Sequence, residues 1–193
     1  MKHPLRLARF ALLAALALPT ALLAGTVDYV LDTEASTVGF ETDFGPDLIT
    51  GTFPLETADL KLDFVNVANS TVSVALDVTG AKASFPFAAQ ALKGPKVLDA
   101  KEFPKMSFVS TAVRKVGDAA EVTGGITIRG VTKPITFKAE LFRPAGSDPA
   151  DHAHLTLRLT GHVLRSAFGA TGWADMVGDE VRIVINAKVD AKG

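Results

Sequence analysis

Beyond residue 25, hydrophobic residues recur at every second position through most of the chain. Val72, Val74, Leu76 and Val78 fall on one face of their segment, while Ser73 and Asp77 fall on the other. Ile135, Phe137, Ala139 and Leu141 alternate in the same way with Thr136, Lys138 and Glu140. Leu155, Leu157, Leu159 and Val163 repeat the pattern, as do Val181, Ile183, Ile185, Ala187 and Val189. A period of two marks strands with one face in a core. Weaker runs of the same kind cover 27–31, 35–42, 50–64, 105–116 and 119–128. Turn-forming residues separate the runs at Asn66 to Ser70, Gly117–Asp118, Gly130 and Pro144 to Asp151. About eight antiparallel strands in one domain must close into a barrel or stack as a sandwich. Strands of about ten residues, near 33 Å at the usual rise, suit an elongated barrel with a lumen. Periodicity by itself leaves the sandwich open.

Two stretches depart from this pattern. Residues 82–104 do not alternate, and Phe87 to Lys93 predicts about two helical turns ended by Gly94–Pro95. This helical excursion either covers one mouth of a barrel or is a connection whose Phe residues fill the core. The first 24 residues combine a basic start (Lys2, Arg6, Arg9) with an apolar run from Phe10 to Leu18 and a break at Pro19. That is the layout of a secretory signal, with cleavage expected after Ala24. The charge-free stretch from Phe10 to Val27 is interrupted by Pro19 and falls short of the roughly 20 apolar residues that a spanning helix needs. The expectation is therefore a signal peptide over 1–24, one domain over 25–193, a periplasmic location and no stable membrane insertion after cleavage.

Composition narrows the function classes. The chain has 193 residues, of which 48% are hydrophobic and none is Cys, so disulfides, thiolate nucleophiles, iron–sulfur clusters, Cys-bound zinc and N-terminal lipoprotein acylation are excluded. Basic and acidic residues number 20 and 21, and three of the basic ones lie in the leader. This balance shows no basic excess of the kind that nucleic-acid binding uses. The 12 Phe, against one Trp and one Tyr, supply the aromatic bulk.

Catalytic signatures are scarce. The chain carries no G-x-S-x-G elbow, no P-loop and no H-E-x-x-H. His152 and His154 share a strand face and, with Asp151, make a weak candidate metal site; the plainer reading is an exposed junction between loop and strand. His162 interrupts a polar face and reads as solvent-facing or as a lone lumen residue. Asp28 with Asp32, Asp175 with Asp179, and Glu180 are candidate carboxylate pairs for glycosidase-type chemistry, although each lies near turn residues where solvated carboxylates are common. Lys93, Lys96, Lys101 and Lys105 cluster around the excursion and could meet an anionic headgroup at a barrel mouth, or simply be solvated.

Several stretches, taken in order, resemble the YceI family of exported lipid-binding proteins. VTGGITIRGVTKPITF (122–137) resembles that family's V-T-G-x-L-T-I-x-G-V-T-x-P-V segment. LDAKEFPKMSF (98–108) resembles its F-D-V-x-x-F-P-x-x-x-F. The opening YVLDTEASTVGF (29–40), the G-x-F of Gly51–Phe53, LRSAFGA (164–170) and VGDEVRIVINAKV (177–189) complete the likeness, which covers nearly all of 27–190. The departures are polar losses. Ala35 stands where the family commonly has His, AAQAL (88–92) replaces R-D-x-H-L, and Leu164 and Ala167 replace the amide and carboxylate of N-R-x-D-F-G.

The resemblance implies a lipocalin-like, eight-stranded antiparallel β-barrel with a short helical excursion around 82–104. It implies a periplasmic binding protein that holds a long isoprenoid (an isoprenoid quinone or a polyprenyl phosphate) or a similar amphiphile, with no cofactor and no catalytic residue. The expected lumen and cap residues are Phe40, Phe44, Phe53, Phe85, Phe87, Leu92, Phe103, Phe108, Phe137 and Phe168, with about half of the Phe serving as solid core. Phe85, Phe87 and Leu92 are expected to cap the tunnel. Arg165, Lys93 and Lys96 are expected near the polar end of the ligand. A homodimer is compatible with this reading. The competing readings are a lipid- or glycan-acting enzyme using mouth carboxylates, and a solid-core interaction module without ligand.

Overall fold

The computed structural model describes residues 25–192. Its elements are β1 (Val27–Leu31), β2 (Thr37–Phe44), β3 (Asp47–Phe53), β4 (Leu55–Leu62), β5 (Thr71–Asp77), β6 (Lys82–Ala83), α1 (Pro86–Lys93), β7 (Lys105–Val116), β8 (Ala119–Ile128), β9 (Val131–Phe142), β10 (His154–Leu164) and β11 (Val177–Ala191). Short 3₁₀ turns occupy Val67–Asn69 and Arg165–Phe168. The expected signal peptide over 1–24 lies outside the described residues.

The strands form a closed ring in the order β1-β4-β5-β7-β8-β9-β10-β11, with β11 returning to β1. Every pairing in the ring is antiparallel. The fold is the eight-stranded barrel expected from the sequence, and not a sandwich. Closure satisfies the strand edges that an open sheet would leave exposed. Beyond the ring, β2, β3 and β6 extend the wall at one end. The later part of β11 (Val189–Ala191) pairs with β1, while its earlier part (Val181–Asn186) pairs with β2. Strands β1 and β2 are thus two legs of one bent path along the same neighbour.

The bends have identifiable causes. Alternation reads 50–64 as one run, but Pro54 divides it into β3 and β4, because proline has no N–H for the ladder. The Pro54 carbonyl instead accepts the Asp77 N–H at 2.9 Å. Between β1 and β2, Asp32 Oδ1 accepts the N–H groups of Glu34 and Ala35, and Ser36 Oγ accepts the Lys188 N–H. These bonds build the corner from short polar side chains.

Packing is solid at one end. Tyr29, Leu60, Leu62, Leu155, Ala187 and Val189 form a buried cluster there. The Tyr29 hydroxyl donates to the His152 carbonyl at 2.8 Å. A second cluster, which includes Phe137, Ile126, Leu98 and Phe168, lies toward the excursion. Within it, Phe108 and Phe137 meet edge to face, with ring centroids 5.3 Å apart. Each ring needs a glycine opposite. A Cβ at Gly124 would stand 2.6 Å from Phe108 Cζ, and one at Gly161 would stand 2.7 Å from Phe137 Cδ1.

The excursion is helical where expected, with α1 beginning one residue earlier, at Pro86. Proline suits the first helical turn, where its missing N–H is not needed. Gly94 ends the helix and Pro95 follows. Eight residues are too few for a stable helix in isolation. Tertiary contacts hold α1 in place: Ala88 is buried and Leu92 packs on the second cluster.

Candidate ligand-binding cavity

A cavity of about 520 Å³ occupies the barrel between the solid end and the excursion. Alternation builds its wall. The inward residues Val72, Val74 and Leu76 of β5 and Ile183 and Ile185 of β11 all line it, as the sequence faces require. Phe44, Phe85, Phe87, Trp173 and Met176 also line it, and these mark its mouth. Phe87 is 67% exposed, Met176 48% and Phe85 37%, so one set of side chains faces both cavity and solvent. Phe44 and Phe85 reach toward each other, with centroids 6.2 Å apart.

Among the apolar residues expected in the lumen or cap, Phe40, Phe44, Phe53, Phe85, Phe87, Leu92, Phe108, Phe137 and Phe168 line this cavity. Phe103 does not. Its ring packs against Gly130 at the turn between β8 and β9. Phe40, Phe137 and Phe168 are themselves buried, serving as both core and wall.

The polar candidates fall differently. Arg165 lines the cavity but is only 8% exposed, and its guanidinium is committed to backbone. Nε donates to Gly178 O at 2.8 Å, Nη1 to Ala170 O at 2.6 Å and Gly172 O at 2.8 Å, and Nη2 to Val177 O at 2.9 Å. This side chain clips the mouth segment 165–178 to the barrel. Lys93 and Lys96 lie outside the wall. Lys93 Nζ donates to Thr79 O at 3.4 Å, and the exposed Lys96 packs beside Gly172. Lys82, on the short β6, does line the cavity; sequence reasoning missed it because a two-residue strand leaves no periodic trace. Trp173 and Met176 were missed for the same reason, since they sit in an irregular turn.

The wall residues include no Asp, Glu or His among the described residues. The candidate carboxylates have other partners or positions. Asp32 holds the corner after β1, with Lys188 Nζ 3.7 Å away. Asp179 accepts from the Ser166 N–H and hydroxyl at 2.9 and 2.7 Å, bonds that hold its carboxyl below the usual range, with a smaller contribution from the Arg165 charge. Glu180 lies 3.7 Å from Arg182, and Asp28 pairs in register with Lys61. Asp175 is exposed in the turn of Trp173 to Met176. They do not converge on the cavity.

The histidines also separate. The ring of His152 stacks on Phe64 at 4.2 Å, and burial, aided by Arg143, pushes its pKa down. His154 Nδ1 lies 2.6 Å from Asp190. His162 is exposed and outside the wall. Among the described residues, no group of His, Asp and Glu is arranged to hold a metal ion.

Comparison with known proteins agrees with this architecture. A UPF0312 protein of Vibrio parahaemolyticus is 35% identical over 144 residues, spanning 72% of this chain and 76% of the relative. The crystal structure of Burkholderia cenocepacia BcnA superposes with a TM-score of 0.74 at 25% identity, covering 82% of this chain and 99% of BcnA. A polyisoprenoid binding domain from Saccharophagus degradans, implicated in plant cell wall breakdown, shares the fold with a TM-score of 0.61 at 10% identity, covering 86% of this chain and 99% of that domain. The profile of the YceI-like domain matches residues 29–189, and the chain belongs to the YceI-like family.

Proposed function

We propose that this protein is a non-enzymatic carrier that sequesters a long-chain isoprenoid, either a quinone or a polyprenyl phosphate, inside its barrel in the periplasm. The observation that carries the reading is the cavity: about 520 Å³, walled by aliphatic and aromatic side chains. Pockets of roughly 300–1,000 Å³ bury most of a small ligand. A longer prenyl chain would fill the lumen and continue through the mouth beside α1. Burial supplies the affinity. At about 0.3 kcal/mol per heavy atom, a chain of about 40 carbons gains about 12 kcal/mol, near nanomolar. The description of the Saccharophagus degradans domain as polyisoprenoid-binding supports the same ligand class. The cavity speaks against the solid-core module. The scattered, structurally engaged carboxylates offer a mouth enzyme no acid–base pair.

In this reading the polar end of the ligand lies toward Lys82, with Lys93 and Lys96 on the same side of the mouth. Arg165 contributes positive charge while its hydrogen bonds stay with the backbone. Native mass spectrometry of protein purified from its own periplasm, with solvent extraction of bound material, tests the proposal. A stoichiometric isoprenoid adduct on a chain lacking residues 1–24 is expected, and its mass separates quinone from polyprenyl phosphate. A bare protein mass that persists after incubation with both classes would overturn it.

A further inference from the structure

We propose that the mouth of the barrel is a docking surface for a lipid bilayer, into which Phe87, Phe85 and Met176 insert when cargo is exchanged. The inference rests on the carrier reading for its purpose, but on separate residues for its geometry. These three side chains are exposed by 67%, 37% and 48%, and all three belong to the cavity wall. Large apolar side chains exposed in a group mark an interaction site, whereas scattered ones do not. The opening of this cavity therefore carries a group of exposed apolar side chains.

The occupant follows from two further observations. The first is continuity. An apolar chain that crossed from a membrane to this cavity through water would expose all its hydrocarbon surface, at a prohibitive cost. A rim seated in the acyl boundary gives a path without that step. The second is charge. Helix α1 has no acidic residue and carries Lys93 in its last turn. Lys82, Lys93 and Lys96 flank the α1 side of the mouth, and none has a carboxylate partner among the described residues, a state they share with Lys61, Lys101, Lys115, Lys133 and Lys192; what sets the three apart is their place around the mouth. Unpaired lysines beside an inserted apolar rim fit anionic headgroups. Asp47 and Asp175 lie on β3 and in the Trp173 turn, so the attraction is confined to the α1 side and insertion is the larger contribution.

Flotation of the purified protein on isoprenoid-free vesicles tests the proposal, using phosphatidylcholine alone and phosphatidylcholine with phosphatidylglycerol. Binding is expected on both, tighter with phosphatidylglycerol and weakened by salt only there. Phe85→Ser/Phe87→Ser should lower binding on the order of tenfold on both vesicles. Lys93→Glu/Lys96→Glu should remove the advantage of phosphatidylglycerol. Val65→Ser, which removes a 77%-exposed apolar side chain beside the solid-end residue Phe64, should change nothing. Isoprenoid loading from detergent, read by native mass spectrometry, is measured on the same proteins. Phe85 and Phe87 also line the cavity, so their variants are judged on flotation alone: rim variants that float as the wild type does overturn docking, whatever their loading. Wild-type protein that loads cargo but never floats overturns docking and leaves the carrier reading intact. Flotation lost only on removal of residues 1–24 assigns binding to that segment and also overturns docking. So does a Phe87-dependent dimer, seen by light scattering, that does not float.

Discussion

Replacing Arg165 by Met separates two roles for an arginine that lines the cavity. Methionine keeps the apolar stem and removes every donor. Four hydrogen bonds to backbone carbonyls are lost, two of them in wholly buried surroundings, to Ala170 and Gly172. A hydrogen bond to a charged group contributes about 1.5–3 kcal/mol, so the two buried bonds set a cost of about 3–6 kcal/mol. The carbonyls of Val177 and Gly178 are only partly covered and recover most of their loss to water. At about 2–4 °C per kcal/mol for a chain of this size, a global effect lowers Tm by roughly 6–24 °C.

The mouth segment can also open alone, which caps the global effect at its local stability. Hydrogen exchange covers that case. The amides of Ala170, Gly172 and Val177 bond to Arg165 O, Lys96 O and Trp173 O. Their protection should fall by about a hundred- to ten-thousand-fold, the factor equivalent to 3–6 kcal/mol. Arg165→Lys should rescue little, since an ammonium cannot span the same fork of acceptors. An Arg165→Met protein with unchanged melting and unchanged exchange that no longer retained isoprenoid would refute the clip and return this residue to the cargo.

Three further expectations follow from the wall and the solid end. Gly161→Ala places a Cβ 2.7 Å from Phe137 Cδ1 and should cost about 1–3 kcal/mol in urea unfolding; a gain in stability, as Gly→Ala gives in an open strand, would show that the close approach does not exist. Ile183→Trp fills the lumen from β11, and native mass spectrometry should find shorter chains or lower occupancy; an unchanged adduct distribution would place the cargo elsewhere. His152 has a depressed folded pKa through burial and the Arg143 charge, so between that value and the ordinary 6.5 the unfolded chain holds more protons. Stability should therefore fall as pH drops through this window and level off below it, and His152→Gln should remove the slope; an identical slope in that variant counts against the assignment.

Much of the barrel was legible because its signal is local. Alternating residues of β5, β9, β10 and β11 announce their inward faces before any pairing is known. The split of 50–64 at Pro54 was also in the sequence, as a missing N–H, but its consequence depends on which neighbour the strand would have used. The motif residues that revealed the family turn out to shape backbone. Asp32 and Ser36 build the corner after β1, Gly124 makes room for Phe108, and Phe103 seats on Gly130. Arg165 was legible as a preserved position, yet not as a clip, because its acceptors are carbonyls, which every residue has. The mouth was least legible. Lys82, Trp173 and Met176 come together from a two-residue strand and an irregular turn, where no period exists.

The polar losses and the intact fold have a common physical basis in how the mouth is held. The excursion after α1 is tied by backbone bonds, from Leu98 to Leu92, from Asp99 to Gly94 and from Ala100 to Lys93. Arg129 adds a second arginine clip, with Nη1 donating to Pro95 O at 2.9 Å and Val97 O at 2.6 Å. The Gly172 N–H then joins this excursion to the mouth segment through Lys96 O at 2.8 Å. None of these bonds uses a side chain from 88–92, so AAQAL can be apolar at no cost to the architecture. Among the described residues, the non-glycine residues with positive φ are Asp99, Arg129 and Trp173, and all three sit in this assembly. Such conformations cost about 1–3 kcal/mol each and persist only where surrounding bonds fix them. The two arginines supply that fixation at the opening of the barrel, so the helix surface is free to be selected for what it meets outside. Phe85, just before the helix, and Phe87, in its first turn, are exposed apolar side chains there, and under the docking proposal a mouth held rigid from behind can press them into a membrane without closing on itself.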